Sequence, residues 1–171
     1  MFLLYVLCAT GIIFVLFGFI AMFAGPKGRG APFVPSSVKS IRTMVHLSGS
    51  PAPKRVADLG SGDGRIVIAF ARVGIEAHGF ELNPVLVLWA RMRILFLGLQ
   101  DRAHIHLGNY WKADLSQFNI VTVFGLPPMM ADLEKKLRRE LKPGTRVFSN
   151  SFHFPTWESV QKEDGIHVYY R

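Results

Sequence analysis

The chain has 171 residues, half of them hydrophobic, a net charge of +8 and a single cysteine. That length suits one domain with its own core. One cysteine excludes an intrachain disulfide framework and a multi-cysteine zinc site.

Residues 1–24, MFLLYVLCATGIIFVLFGFIAMFA, contain no charged side chain. A helix that crosses a bilayer needs about 20 apolar residues, so this stretch is expected to be a retained transmembrane anchor. A cleaved signal peptide would begin with a basic residue and end in a small-x-small site. Here the start has no Lys or Arg, and the end reads Met22-Phe23-Ala24. A buried helix of a soluble protein would show a polar face, and none is present. Cys8 lies inside this run and reads as a small apolar residue, with lipid acylation the alternative.

Residues 25–57 hold Lys27, Arg29, Lys39, Arg42, Lys54 and Arg55, and the first acid of the chain is Asp58. Flanking positive charge stays on the cytoplasmic side. The expectation is a single-pass protein with the remaining chain in the cytoplasm, or in the matrix if the membrane is organellar. The same cations suit anionic head groups of the bilayer, and nucleic acid is not an expected partner.

The stretch GPKGRGAPFVPSS (25–37) is a basic Gly/Pro-rich linker, and 38–171 form the folded domain. Ser36 or Ser37 caps a helix carrying Val38, Ile41 and Val45 on one face. Beyond the break at GSPAP (49–53), strands and helices alternate. KRVADL is an apolar strand, RIVIAFARV a helix, IEAHGFEL a second strand, and PVLVLWARMRILFLGL a long helix with Pro84 at its start. RAHIHLG and FNIVTVFG are further strands. MMADLEKKLRREL is amphipathic: Met130, Leu133, Leu137 and Leu141 form its buried stripe, and Glu134 and Arg138 pair on the solvent side. KPGTRVFSNSF holds a fifth strand and GIHVYYR the last. Alternation of this kind predicts an α/β, Rossmann-like domain with a mostly parallel sheet and helices on both faces.

Ligands of such sheets bind beyond the carboxyl ends of the strands, where the loop after the first strand lies. Its glycines, Gly60, Gly62 and Gly64, are spaced G-x-G-x-G. Dinucleotide folds use G-x-G-x-x-G, and phosphate loops need a following Lys-Ser/Thr. Asp58 and Asp63 would repel a pyrophosphate. They suit a ligand with a cationic amino group and a sulfonium, which is S-adenosylmethionine.

The stretch DLGSGDGR, with Ser61 among its glycines, resembles motif I of the class I, seven-strand methyltransferases. That resemblance implies an acid ending strand two to take the ribose hydroxyls, here Glu81 in GFELNP with Asn83 beside it. It also implies a polar residue after strand three that reads the adenine amine, here Asn109, where many relatives have Asp. Tyr110 and Trp111 follow and could stack on the base or wall the acceptor channel.

APFVPSS, GNYWKADLSQF, VFGLPPMMADLEKKLRREL and the late FHFPTW extend the resemblance over most of the chain. They are similar to a family of membrane-anchored protein-lysine methyltransferases. Its mitochondrial members modify the c-ring protein of ATP synthase and the adenine nucleotide translocase, and broad-specificity archaeal lysine methyltransferases are also similar. The implied function is methyl transfer to lysine side chains of a membrane-associated protein. In-line displacement from a sulfonium needs mostly positioning, and an apolar pocket favours the neutral lysine nucleophile.

In amine-modifying relatives of the fold an Asp or Asn precedes Pro-Pro after the fourth strand. Here Leu126 stands there, so Phe124, Leu126, Pro127 and Pro128 are expected to position the acceptor through backbone carbonyls and apolar walls. Phe33, Val34 and Pro35 form an expected lid. His104 and His106 share a face of the third strand without metal-ligand spacing, and no metal is expected. The short tail suggests a missing or irregular edge strand. A lipid or quinone methyltransferase and a non-catalytic cofactor-binding membrane protein are the alternatives.

Overall fold

The computed structural model describes residues 1, 10–11, 34–49 and 54–171. The expected anchor over 1–24 (residues 1, 10 and 11 apart), Cys8, and the linker through Phe33 lie outside the described residues. Among the described residues no helix is long and apolar enough to cross a membrane.

The elements in chain order are α1 (Val38–Leu47), β1 (Arg55–Leu59), α2 (Arg65–Arg72), β2 (Glu76–Glu81), α3 (Pro84–Phe96) and β3 (Ala103–Leu107). A 3-10 turn (Tyr110–Lys112), β4 (Ile120–Val123), α4 (Pro127–Glu140), β5 (Arg146–Asn150), β6 (Gln161–Glu163) and β7 (Ile166–Tyr170) follow. They build a seven-stranded sheet in the order β3-β2-β1-β4-β5-β7-β6. β1 to β5 are parallel, and β7 runs antiparallel to β5 and β6. The Rossmann-like reading therefore holds. The edge strand is present but short: β6 has three residues. Its sequence, Gln-Lys-Glu, has no apolar alternation to announce a strand.

Alternation along each strand splits the core in two. Val56, Ile120, Phe148 and Val168 face the layer of α1, α2 and α3. Ala57, Val121, Val147 and Tyr169 face α4 and the irregular segments around it. Helices do cover both faces, but among the described residues the second face has one where the first has three.

The stripe foreseen on α4 is the buried one: Met130, Leu133, Leu137 and Leu141 are all at most 4% exposed. Burying each is worth about 1.5–3 kcal/mol. The Glu134–Arg138 pair also forms, at 3.0 Å, but not on the solvent side. Glu134 is buried because its carboxylate turns inward to accept from the Thr156 N–H and Oγ1. Burial opposes its ionisation, but the Thr156 and Arg138 hydrogen bonds prevail and hold its pKa below the usual range.

Ser37 is the cap of α1, accepting from the Ser40 N–H. Ile41 and Val45 pack partly buried against the core as expected, and Val38 is the exception. Ser40, Thr43 and Met44 are buried, and Val38 is exposed. Thr43 and Lys39 both reach Asp164, at 2.8 and 2.6 Å, stapling α1 to the β6–β7 turn.

Candidate functional site

The buried Asp58 is the last residue but one of β1. Its Oδ1 accepts from Thr122 Oγ1 of β4 at 2.7 Å, while Oδ2 has no partner. Burial pushes its pKa up to about 7; the Thr122 hydrogen bond counters this, and the Glu81 and Asp63 carboxylates add to it. A buried carboxylate with a bare oxygen is costly unless a cation or donor meets it.

The loop that follows is shaped by its neighbours. The Gly60 and Ser61 N–H groups both donate to the Phe80 carbonyl, pinning the turn to β2. Gly60 has φ +81° and open space where a Cβ would stand, which leaves the backbone approachable. Gly64 has φ +75°, and a Cβ there would lie 2.9 Å from Ala90 Cβ, so glycine lets α2 and α3 close together. Ser61 is buried with its hydroxyl unpartnered, packed where only Gly79 leaves room on β2.

Glu81 ends β2 at the same edge. Its Oε2 accepts from the Gly62 N–H at 2.8 Å, and Oε1 accepts from the Leu82 and Asn83 N–H groups. Gly62 is thus bound to the acid, and one lone pair on Oε2 stays open to a further donor. Asn83 is buried and caps α3 through Oδ1 on the Val85 N–H. Asn109, past β3, likewise caps the 3-10 turn through the Trp111 N–H.

Two expectations need correction. Asp63 does not face a ligand. Arg65 takes both its oxygens at 2.8 and 2.9 Å, and Arg93 of α3 takes Oδ2 at 2.7 Å. Burial opposes the charged form, yet the two guanidinium groups hold the Asp63 carboxyl below its usual range. It is a clasp between the loop and α3. Tyr110 is not an open stacking platform either. It packs into the core on the α4 face, where burial pushes its hydroxyl up to about 12. Trp111, with its ring 5.2 Å from that of Tyr110, is the more exposed of the pair.

At the end of β4, Phe124 stacks on Phe152 at 6.3 Å. Leu126, Pro127 and Pro128 are exposed beside it. α4 starts with both prolines and has no side-chain cap. Its first turn therefore lacks two of the N–H donors that usually make a helix N-terminus attractive to anions. Val34 and Pro35 are exposed, and Phe33 is outside the described residues. Ser36 is buried at this edge: its carbonyl accepts from Arg65 Nη1 at 3.0 Å and its Oγ from Asn150 Nδ2 at 3.1 Å.

Two features escaped the sequence pattern. His78 joins His106 at 3.0 Å and Glu76 at 2.7 Å, with Arg55 3.1 Å from His78 Nε2. Ligand atoms of Glu76, His78 and His104 gather within 4.8 Å, but the Arg55 guanidinium already supplies the cation there. The pairing of β2 with β3 makes this cluster, and spacing within one strand cannot reveal it. The second is Ser151, just past β5, at φ +67°. A non-glycine residue in that region is strained, and such strain gathers at functional edges. No local signal marks it.

The ANTKMT methyltransferase domain model matches residues 58–161. A lysine N-methyltransferase of Homo sapiens, named for the c protein of ATP synthase, is 45% identical over 126 residues, covering 74% of this chain and 54% of that protein. The chain spans about half the length of the mammalian relatives of this name. A protein-lysine N-methyltransferase of Saccharolobus islandicus (strain REY15A) is 38% identical over 139 residues, covering 78% of this chain and 86% of that protein. Among solved structures, an RNA methyltransferase from Salinibacter ruber in complex with S-adenosyl-L-homocysteine superposes with a TM-score of 0.74 at 34% identity, covering 80% and 92% of the two chains. The unpartnered acid, the open glycine turn and these matches agree: the chain belongs to the ANTKMT methyltransferase domain family.

Proposed function

We propose that this protein methylates lysine side chains of a membrane-associated protein, with S-adenosylmethionine as the methyl donor. When bound, that group supplies a methyl on an activated sulfonium. The residues fit it. Asp58 Oδ2 is buried without a partner, as a carboxylate awaiting an amino cation would be. Glu81 Oε2 keeps a lone pair for a hydroxyl, Asn109 keeps capacity for an amine, and Gly60 leaves the turn open. The relatives' names support lysine as the acceptor class.

The observation that carries the acceptor reading is the mouth at the end of β4. Phe124, Phe152 and Leu126 give it apolar walls, and Pro127 and Pro128 remove two backbone donors. A desolvated amine loses its proton more readily in such surroundings. A phosphate-bearing acceptor would find few donors at that helix start. Ser36 is fastened to Arg65 and Asn150, and Phe33, Val34 and Pro35, which precede it, would cover the acceptor as a lid.

In this reading residues 1–24 are the tether, 25–37 the linker and 38–171 the catalytic domain, held on the cytoplasmic or matrix side. A tether raises the effective concentration of a membrane-embedded acceptor. The test incubates the purified chain with methyl-labelled cofactor and membranes of its own cell. Label on lysines, located by mass spectrometry of the membrane proteins, is the expected result. Label in solvent-extractable lipid or in RNA refutes the lysine reading. No label, with no cofactor binding by calorimetry, refutes an enzyme altogether.

A further inference from the structure

Helix α3 is apolar on both sides. Leu86, Val87, Ala90 and Ile94 are buried against the sheet. On the opposite side Leu88, Trp89, Met92, Leu95 and Phe96 stand 61%, 48%, 39%, 64% and 86% exposed. Positions i, i+1, i+4, i+7 and i+8 form one continuous helical stripe. Single exposed apolar residues need no explanation, but five large ones in register do.

The charges on this helix are of one sign. Arg91 and Arg93 are its only ionisable residues, and it has no acid. Arg93 shares the Asp63 carboxylate with Arg65. Among the described residues Arg91 hydrogen-bonds only the Ile105 carbonyl, so its charge meets no carboxylate. A large apolar stripe with an indole on it and uncompensated positive charge beside it is the pattern of a helix lying in a lipid interface.

We infer that the exposed face of α3 rests on the head-group region of an anionic bilayer, as a second membrane contact beside the tether. This rests on the membrane-tethered reading above. A second copy of the chain fits less well. Thirteen residues make a helix about 20 Å long and 10–12 Å wide. Its five outward side chains expose roughly 600 Å², short of the about 800 Å² per partner in a standard interface. A bilayer needs no such area, because the contact adds to an attachment already made. α3 begins three residues past Glu81, so the contact would hold the cofactor edge at the membrane surface, within reach of an acceptor there.

The experiment uses the full chain with Cys8→Ser and a single new cysteine carrying an environment-sensitive fluorophore. Leu95→Cys and Leu88→Cys report on the face, and Lys135→Cys, exposed on α4, is the control. The variants are reconstituted into vesicles of phosphatidylcholine and phosphatidylglycerol, with and without brominated acyl chains. The expected result is blue-shifted emission from positions 88 and 95, quenched by about half or more by brominated lipid, with position 135 unaffected. Quenching at 95 equal to that at 135 overturns the inference. A blue shift that bromine leaves untouched also overturns it, since that reports a protein neighbour. Equal quenching in pure phosphatidylcholine overturns the anionic preference. Flotation of the same vesicles keeps the two readings apart. A chain that floats with an unquenched label at 95 loses only this contact, and a chain that does not float refutes the tether too.

Discussion

Replacing Asp58 by Asn should change the pH dependence of stability in a calculable way. The buried carboxyl titrates near 7 in the folded chain against an ordinary 3.8, chiefly through burial. The folded state therefore holds this proton more tightly than the unfolded state. Stability from this group is greatest below pH ~4, falls as pH rises from about 4 to 7, and is level above. At about 1.4 kcal/mol per pH unit, the fall amounts to about 4 kcal/mol. Asparagine keeps the acceptor for Thr122 and does not titrate. Its new N–H group would sit where Oδ2 finds no partner, a constant penalty of about 1–3 kcal/mol. That constant cancels in the difference between the two pH profiles. Urea unfolding of both proteins in detergent at pH 4, 5, 6, 7 and 8, followed by far-ultraviolet circular dichroism, gives the difference curve. Wild type should lose up to about 4 kcal/mol relative to the variant across that range. A flat difference curve would mean that water or a side chain already satisfies Oδ2, and the reading of Asp58 as an acid awaiting a cation would fail. Cofactor binding should also release a proton near pH 7, visible by calorimetry in two buffers of different ionisation enthalpy.

Other consequences are simpler to measure. Glu81→Ala removes the acceptor of three N–H groups along with the expected ribose contact. Affinity for S-adenosylmethionine should drop about tenfold or more with the circular dichroism spectrum unchanged, and equal affinity in isothermal titration would place the ribose elsewhere. Glu134→Gln weakens the bonds that tie α4 to Thr156 and should cost about 1–3 kcal/mol at pH 7. Because the folded carboxyl sits below its ordinary value, that stability is present above pH ~4.5 and is lost as pH falls through the folded value. The gap between wild type and variant in urea midpoint should thus shrink towards pH 3, and a gap independent of pH would contradict the assignment.

Much of the frame was readable before the fold. Repeating βα units, the G-x-G-x-G turn and the Met130–Leu141 stripe each follow from local spacing, and each stands as expected. Failures came where a distant partner decides. Asp63 is taken by Arg65, two residues on, and also by Arg93, thirty residues on and one helix away. Glu134 turns inward because Thr156 waits across the core. Tyr110 is buried because the 3-10 turn sets its ring among the side chains of the α4 face. His78 meets His106 only through the β2–β3 register. For α3 the difficulty was of another kind: a helix apolar all round gives no sequence cue to which side the sheet will take.

The fastening of Ser36, between Arg65 beside the glycine loop and Asn150 at the end of β5, sets a length scale. Eleven residues separate residue 24 from this point, and a fully extended chain spans at most about 3.6 Å per residue. If residue 24 marks the membrane boundary, the methyl-transfer edge can stand no more than about 40 Å from the bilayer. Under the proposed tether, the fastening would work as a leash of fixed maximum length. It would then select acceptors by their height above the membrane as well as by their chemistry, and inserting residues before Ser36 would widen that range without altering the site.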